Sequence, residues 1–546
     1  MELTLYKTLL GRFLWAALFS ILVLLSSCTA SRTDMRSLVS TDTLVYFESN
    51  DLSQVLKLIT ENEKFRKDTA VVPDLSALEG LQIAISVTGF DTSENQVTEE
   101  QSILNLRPKF VAVAETNGWS WHVEALVDGA LSNFIRRVYG GDVKVDRESK
   151  TGSEWYIWTA NDGRRSFAAA VGSKVYFGND RGSIEKAISA SRGESGSLLE
   201  NKHLESAYAK SRDKLAFGFV SEEGIKKISD VFGISVAVEQ TEDENSRGFI
   251  SRILPQILNN SIKELVWTAE KTENGVEDTI FIKTSPEASA ILSETIATRG
   301  AGKNEPYDLL PAETKSVTRY DLRNPQVAFR SILLVTAKSV SETDARLISA
   351  FSGALLEPYG ISKAEEFLSG VDSQIITAQL DDVGDNSLAI VEIKDREKVR
   401  SAVSKELDLS GDARKVGNAD LWQSEDEDLA AAELGRIFVL GNIDAVFKAI
   451  ASWNRRKISP QDSAHDFTKG RLFGMLAKSN AAAATFGRGN EDVGRLVRVL
   501  GEPKDQREQS FSNTLVETRF TASGIERRSV SDFGFIGTII TQFDGQ

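Results

Sequence analysis

Histidines are the first residues to examine for chemistry, because they act as general bases and as metal ligands. The chain of 546 residues holds three, His122, His203 and His465, and they lie far apart in the sequence. A catalytic zinc ion needs two or three such ligands together with carboxylates, and no His-Glu-x-x-His run is present. We therefore predict that the three histidines are structural and hold no metal.

Serine and glycine motifs are equally weak. Ser183 and Lys186 match a Ser-x-x-Lys pair, and residues 150–152 read Lys-Thr-Gly, but their order is reversed relative to β-lactamases and the Ser-Asp-Asn element is missing. The stretch "FGRGNEDVG" (486–494) suggests a dinucleotide loop, yet Glu491 and Asp492 would repel phosphates at the helix start. We read this stretch and "SEEG" (221–224) as helix caps, and we predict no catalytic residue and no cofactor.

Acidic runs and tryptophans offer two further candidates. Residues 241–248 and 424–433 are rich in carboxylates, but neither has the alternating ligands and central glycine of a calcium loop, so both are predicted to be solvated loops. The second run is expected at the tip of a hairpin. Trp119, Trp121, Trp155 and Trp158 would suit a platform for glycan, but large aromatic side chains are usually core residues, and this interpretation is favoured.

The single cysteine, Cys28, follows the most apolar run of the chain. Residues 13–25 carry no charge and follow Lys7 and Arg12. This run suits the apolar part of a secretory signal and is short for a membrane span, which takes about 20 residues. An ordinary cleaved signal with an accidental cysteine, or an uncleaved anchor helix, is the alternative.

The residues Leu25-Ser26-Ser27-Cys28 resemble the lipobox of bacterial lipoproteins. In that family the cysteine thiol receives a diacylglycerol and the chain is cut just before it. The resemblance implies that Cys28 is the lipidation site, that residues 1–27 are a signal peptide and that residues 28–38 form a lipidated tether. Thr29 stands where an Asp tends to retain such proteins at the inner membrane, so the outer membrane is favoured.

Composition limits the classes of partner. The formal net charge is −15, which argues against nucleic acid, since Lys and Arg on phosphates supply most of that affinity. It also argues against electrostatic docking on anionic lipid. Once Cys28 is consumed by a lipid, no thiol remains for a disulfide or a cysteine nucleophile.

Internal repetition is the strongest sign of domain organisation. "SKVYFGNDRGSIEKAISA" (173–190) is similar to "GRIFVLGNIDAVFKAIAS" (435–452), and three more pairs keep the same order. Those pairs are 40–52 with 311–322, 109–115 with 386–393, and 264–285 with 513–534. We predict two copies, residues 39–298 and 310–546, joined by a linker at 299–309.

Each copy mixes short β-rich runs with helical periodicity. Leu52, Val55, Leu56 and Ile59 give residues 52–59 one apolar helical face, and Asn274-Gly275 predicts a tight hairpin. Hairpins beside helices predict an α+β fold of two tandem duplicated domains, each a mainly antiparallel sheet with flanking helices.

The start of the first copy loosely resembles a family of uncharacterised bacterial envelope proteins with tandem α+β repeats. The resemblance is carried by Thr41-Asp42-Thr43 and Asn50-Asp51-Leu52, and the second copy departs from it at Lys315 and Ser316. That family implies no activity.

Together these features predict a non-enzymatic, lipid-anchored protein of the bacterial cell envelope. It would face the periplasm or the exterior and act in binding, assembly or structure. Its partners would be the membrane, through the lipid, and an envelope protein or a cell-wall polymer, with no nucleic acid. An envelope hydrolase that uses carboxylates and a bound water, or a solute-binding lipoprotein with a cleft between the copies, remains the alternative.

Overall fold

In the computed structural model the fold is described over most of the chain. The described residues are 32–96, 102–116, 123–298, 300, 305–458, 467–504 and 510–542, apart from positions 125, 141, 151, 212, 241–243, 383, 385, 404–406, 408, 410, 411, 426 and 427. Cys28, the predicted signal peptide and the start of the predicted tether lie outside them. We call residues 32–298 the first half and residues 305–542 the second half.

Short strands alternate with helices in both halves. The strands are β1 Val45–Ser49, β2 Thr69–Val71, β3 Gln82–Gln96, β4 Ser102–Glu115, β5 Lys144–Lys150, β6 Ser153–Thr159, β7 Arg165–Val171, β8 Lys174–Gly178, β9 Ala216–Val220, β10 Ile262–Thr272, β11 Gly275–Thr284, β12 Ser316–Asp321, β13 Val371–Gln379, β14 Ser387–Ile393, β15 Arg414–Val416, β16 Ala419–Gln423, β17 Leu429–Leu434, β18 Ile437–Asn442, β19 Ala483–Asp492, β20 Glu502–Pro503, β21 Phe511–Thr521 and β22 Gly524–Ser531. The helices are α1 Leu52–Thr60, α2 Glu63–Asp68, α3 Ser132–Tyr139, α4 Arg181–Ser191, α5 Lys202–Ala209, α6 Glu222–Gln240, α7 Glu244–Ser261, α8 Pro286–Thr295, α9 Pro325–Lys338, α10 Glu342–Phe351, α11 Ala364–Gly370, α12 Arg396–Ala402, α13 Ile443–Ile458, α14 Arg471–Lys478, α15 Val493–Leu500 and α16 Gly534–Thr541.

All strands except β2 and β20 follow one another in a single antiparallel sheet. Its order is β5-β6-β7-β8-β4-β3-β1-β9-β10-β11-β22-β21-β19-β12-β13-β14-β18-β17-β16-β15. The prediction of an α+β fold built on an antiparallel sheet is therefore confirmed. β2 and β20 pair with each other and link the two halves at a second place.

The two halves have the same strand order when each is counted from its outer edge towards the middle of the sheet. The four pairs of similar sequence lie on strands that occupy equivalent positions, for example β8 with α4 and β18 with α13. That the halves arose by duplication stays a prediction. The sequence did not predict that they share one sheet.

At the centre of the shared sheet, β11 of the first half pairs with β22 of the second half. Eight consecutive residue pairs join them, from Val276 opposite Ser531 to Lys283 opposite Gly524. Two hairpin glycines permit this approach, since a Cβ on Gly275 would lie 2.3 Å from the carbonyl oxygen of Ser531 and one on Gly524 would lie 2.1 Å from that of Ile282. Both glycines have positive φ, so they suit the turn as well as the contact.

Helices of each half also cover the sheet of the other half. α15 and α16 of the second half bury Val493, Leu496 and Phe533 against Trp267 of β10. In the reverse direction α8 of the first half packs on β21 and β22, where Leu292 is buried with Ala482. α7 of the first half also contacts α10, where Arg252 forms an ion pair of 2.8 Å with Asp344. The packing of the two halves is therefore reciprocal.

The folded part begins before the first strand. A 3-10 helix, Met35–Leu38, is capped by the Asp34 side chain and buries Met35 and Leu38 in the core of the first half. Four residues that the sequence analysis placed in the tether thus belong to the folded part, because their apolar side chains lie under α4. Residues 305–309, which were predicted to be part of the linker, likewise form a 3-10 helix. Tyr307 and Leu309 of this helix are buried in the core of the second half.

Several local predictions are confirmed. α1 buries Val55 and Ile59 on its apolar face. The predicted hairpin joins β10 to β11, although its two turn residues are Glu273 and Asn274, with Gly275 already in the strand. The prediction of solvated loops for the two acidic runs is only partly right. The run at 424–433 starts in the connection between β16 and β17, but its residues from Leu429 on form the mostly buried strand β17, and the run at 241–248 enters α7 at Glu244.

The sheet has two outer edges, β5 and β15. β5 reads Lys-Val-Asp-Arg-Glu-Ser-Lys, is mostly exposed and carries charges of both signs. β15 is only three residues long, with Arg414 and Lys415 exposed. Among the described residues no helix is both long enough and apolar enough to cross a membrane.

Candidate functional site

An apolar pocket in the second half is the best-formed candidate for a binding site. It has a volume of about 340 Å³ and lies between the sheet and a layer of helices. Its floor is one face of β14, β13, β12, β19 and β21, and its roof consists of α9, α11 and the 3-10 helix of residues 352–359. The volume falls within the range of about 300–1,000 Å³ that small-molecule sites occupy.

Local sequence explains how the roof reaches the floor. β12 ends at Asp321, and Asn324 caps α9 by accepting a hydrogen bond of 3.2 Å from the backbone N–H of Val327. Pro325 at the first helical position suits this start. The helix therefore turns back at once over its own strand, and Ala328, Phe329 and Ile332 line the pocket.

One row of residues across the sheet explains why space remains here. Tyr320, Ala483 and Thr518 lie opposite one another on β12, β19 and β21. Tyr320 lies four residues before the helix cap Asn324, as Phe47 lies four residues before the cap Asp51 in the first half. The row of Phe47 is Phe47, Gly218 and Trp267.

In the first half the equivalent space is filled by an indole. The ring of Trp267 stacks on Phe47 at 5.6 Å and meets Phe535 edge-on at 5.5 Å. Gly218 makes room for it, since a Cβ there would lie 2.9 Å from the Trp267 ring. The second half has Thr518 in the place of Trp267, so the pocket is the volume that a smaller side chain leaves open.

The polar groups of the pocket are few and uncharged. Burial raises the pKa of the Tyr320 and Tyr359 phenols, so both stay protonated. All the side chains that line the pocket are uncharged. Ile332 and Tyr320 remain 47 % and 36 % exposed and mark its mouth. Such a site can hold an aliphatic chain and donate a hydrogen bond to a neutral oxygen.

The candidate residues from the sequence do not meet at this pocket. His203 is exposed on α5, while His122, His465, Trp119 and Trp121 lie outside the described residues. Trp155 and Trp158 are 2 % and 0 % exposed, which confirms that they are core residues.

The helix caps predicted at the two glycine-containing stretches are confirmed, and Ser183 and Lys186 have separate partners. Ser183 donates its hydroxyl proton to Asp180, the cap of α4, while Lys186 pairs with Asp42. Asp492 caps α15 by accepting from the backbone N–H of Gly494 at 2.8 Å. Ser221 caps α6 in the same way, through the N–H of Gly224.

One group of carboxylates, in which Asp278 is buried while Glu491 and Asp532 are half-buried, bears on the hydrolase alternative. Glu491 accepts from Ser531 at 2.7 Å, Asp278 accepts from the Trp267 indole at 2.8 Å, and Asp532 pairs with Lys64. Burial raises the pKa of Glu491 to about 7. These contacts hold the ends of β11, β19 and β22 together. In the described part of the chain no three His, Cys, Asp or Glu side chains are arranged to hold a metal ion.

Sequence reasoning missed the pocket because Tyr320, Ala483 and Thr518 form no motif. They come together only through strand pairing across 199 residues of sequence. The one available signal was the comparison of the copies, in which Trp267 has no tryptophan counterpart.

Comparisons with known proteins add little to this geometry. No protein-family model and no curated protein sequence matches the chain. Crystal form IV of TP0453 aligns at 10 % identity and a TM-score of 0.24, over 49 % of this chain and 87 % of that one. Crystal form III aligns at 12 % identity and a TM-score of 0.23, over 49 % and 89 %. Scores this low carry no argument about function.

Proposed function

We propose that the protein is a lipid-anchored, non-enzymatic binding protein of the bacterial cell envelope, and that it holds an aliphatic ligand in the pocket of its second half. The observation that carries the binding role is the apolar pocket beneath α9, which the first half fills with Trp267. The lipobox at Leu25-Ser26-Ser27-Cys28 supports the anchor and the envelope location.

The chemistry of the lining favours a neutral aliphatic group. An apolar lining gains about 25 cal/mol for each Å² of apolar surface that a ligand buries. A carboxylate or phosphate deep in the pocket would find only the hydroxyls of Tyr320, Tyr359, Thr377 and Thr518. Burying a charged group with only hydroxyl partners costs much free energy. We therefore expect a fatty alcohol or a neutral acyl ester to bind more tightly than a fatty acid.

Filling the pocket tests the binding role. In the mature chain with Cys28→Ser, which removes the competing acyl chains of the protein itself, Thr518→Trp should place an indole where Trp267 lies in the first half. Binding of a fluorescent fatty alcohol, measured by titration, should weaken at least tenfold. Thr518→Ser, which keeps the space, should bind like the parent.

A matched control adds the same side chain outside the pocket. Val327→Trp changes an exposed position of the same helix that forms the roof. If Thr518→Trp and Val327→Trp bind as the parent does, the pocket is not the binding site and the proposal fails.

The anchor is tested separately. Natively expressed protein should begin at Cys28, carry acyl mass and enter the detergent phase, and a Cys28→Ser variant should stay in the aqueous phase. Two or three acyl chains hold a protein durably, since each buried CH₂ contributes about 0.8 kcal/mol. A chain that keeps residues 1–27, or has a free thiol, would refute lipid anchoring and leave the pocket experiment unaffected.

A further inference from the structure

A second cavity, at the outer corner of the first half, differs in chemistry from the apolar pocket. It has a volume of about 800 Å³ and lies beside the middle of β4, the start of β7 and the end of β8, next to α3. Asn179 fixes this corner, because its side chain accepts from the backbone N–H of Phe110 at 3.1 Å and donates to the carbonyl of Pro108 at 2.8 Å. We call it the corner cleft.

Aromatic rings form the walls of the corner cleft. Phe110 and Phe177 meet edge-on at 6.0 Å on the sheet side. Tyr139 on α3 is held by a hydrogen bond of 2.6 Å between its hydroxyl and that of Ser166. Phe134, also on α3, is 41 % exposed. Phe134 thus adds to the aromatic lining that Phe110, Phe177 and Tyr139 provide.

Basic side chains surround these rings. Arg107, Lys109, Arg164 and Arg165 line the corner cleft, against two acidic residues, Asp91 and Asp180. The lining thus carries a formal charge of +2 in a chain whose net charge is −15. This local reversal of sign favours an anionic ligand.

The pairing of these cations leaves two of them available. Lys109 pairs with Asp91 at 2.8 Å, and Arg164 pairs with Asp162 at 2.6 Å while its guanidinium lies 4.9 Å from the centre of the Tyr139 ring. Arg107 and Arg165 are exposed, and among the described residues neither has an ion-pair partner. A guanidinium binds a carboxylate or phosphate through two parallel hydrogen bonds.

The matching corner of the second half is built differently. There the 3-10 helix of residues 352–359 lies against β14 and β18, and Leu356 and Tyr359 pack on the core.

We infer that the corner cleft binds an acidic saccharide. Flat aromatic walls fit the apolar faces of sugar rings, and Arg107 and Arg165 would bind carboxylate or phosphate groups carried on those rings. A bilayer surface fits poorly, because the site is concave and the rest of the molecule is acidic and repelled by anionic lipid. The inference is independent of the apolar pocket.

The test is a calorimetric titration of the mature chain with a short oligogalacturonate. We expect binding that weakens as salt is added, and at least tenfold weaker binding of the uncharged oligogalactose of the same length. The double variant Arg107→Gln/Arg165→Gln should bind the oligogalacturonate at least tenfold more weakly. Phe134→Ala should also weaken binding, without any change in charge.

The control makes the same change in charge elsewhere. Arg346→Gln/Arg436→Gln removes two exposed arginines outside the corner cleft and should bind like the parent. Equal losses in both double variants would mean that only the net charge matters and would overturn the inference. So would failure to bind oligogalacturonate, or binding only to vesicles of anionic phosphatidylglycerol. Thr518→Trp should leave this titration unchanged, which separates it from the proposed function.

Discussion

Glu48 and Asp321 are acids buried at equivalent places in the two halves. Each lies three residues before the cap of the following helix and is about 2 % exposed. Glu48 accepts a hydrogen bond of 2.5 Å from Tyr46, whereas Asp321 pairs with Arg319 at 3.2 Å. The same position is thus satisfied by a phenol in one half and by a guanidinium in the other.

Glu48 should make stability depend on pH. Burial raises the pKa of its carboxyl to about 7 from 4.5, and hydrogen bonds from Tyr46 and Tyr208 offset this only in part. Because the folded state binds this proton more tightly than the unfolded chain, the stability it provides is present below about pH 4.5 and is lost as the pH rises through about 7. At about 1.4 kcal/mol per pKa unit, the loss is about 3 kcal/mol.

The Glu48→Gln variant measures this contribution. Its unfolding free energy, from urea titrations between about pH 5 and pH 8, should fall less steeply than that of the parent. Glu491, whose pKa is also raised to about 7, acts in the same window, so Glu491→Gln should flatten the profile further. Glu342→Gln, at an exposed site, should leave the slope unchanged, and an equal slope in all variants would contradict the assignment.

Arg319 should be costly to remove. It is 1 % exposed and donates to the backbone carbonyls of Leu476 and Ala477 at 3.0 Å, at the end of α14, as well as to Asp321. Arg319→Met would take the guanidinium from a buried carboxylate and from those carbonyls, so we expect a loss of about 3–5 kcal/mol of unfolding free energy. Adding Asp321→Leu should recover part of the loss, which chemical denaturation would detect; no recovery would mean that the carbonyl contacts dominate.

At the scale of the elements, the joint between β11 and β22 depends on two glycines. Gly524→Ala would bring a Cβ to 2.1 Å from the Ile282 carbonyl oxygen at a φ of +153°. We expect a cost of at least about 1–3 kcal/mol and faster hydrogen exchange in residues 277–283 than in β6 or β17.

Gly193→Ala is the matched control for that change. Gly193 also has a positive φ, of 72°, but a Cβ there has no heavy atom within 4 Å. Gly193→Ala should therefore lower the unfolding free energy only through the strained backbone, and hydrogen exchange in β11 should not change. Equal exchange in the two variants would mean that the close contact at Gly524 is not what limits the joint.

The elements themselves could be predicted where the cause is local. The apolar spacing of residues 52–59, the caps Ser221 and Asp492, and the hairpin before Gly275 all follow from a few neighbouring residues. The second role of Gly275, its contact with the Ser531 carbonyl, depends on a residue 256 positions away. Propensity and periodicity do not encode such contacts, and for the same reason neither the apolar pocket nor the corner cleft could be found from sequence.

The two halves of the molecule should stay associated even when the chain between them is cut. Eight residue pairs between β11 and β22, the pairing of β2 with β20 and the reciprocal helices join them. If a protease site is placed at residues 301–304 and cut, the two fragments should still elute together in gel filtration without denaturant. Separate elution would show that the chain connection, rather than the shared sheet, holds the halves together.

The two outer edges of the sheet have a consequence for crowding. Lipid-anchored copies would share one leaflet at high local concentration, where exposed strand edges invite neighbouring chains to pair. The alternating charges of β5 and the brevity of β15 oppose such pairing. If the protein is lipid-anchored as proposed, many copies can therefore occupy one membrane surface without their edge strands pairing into fibrils.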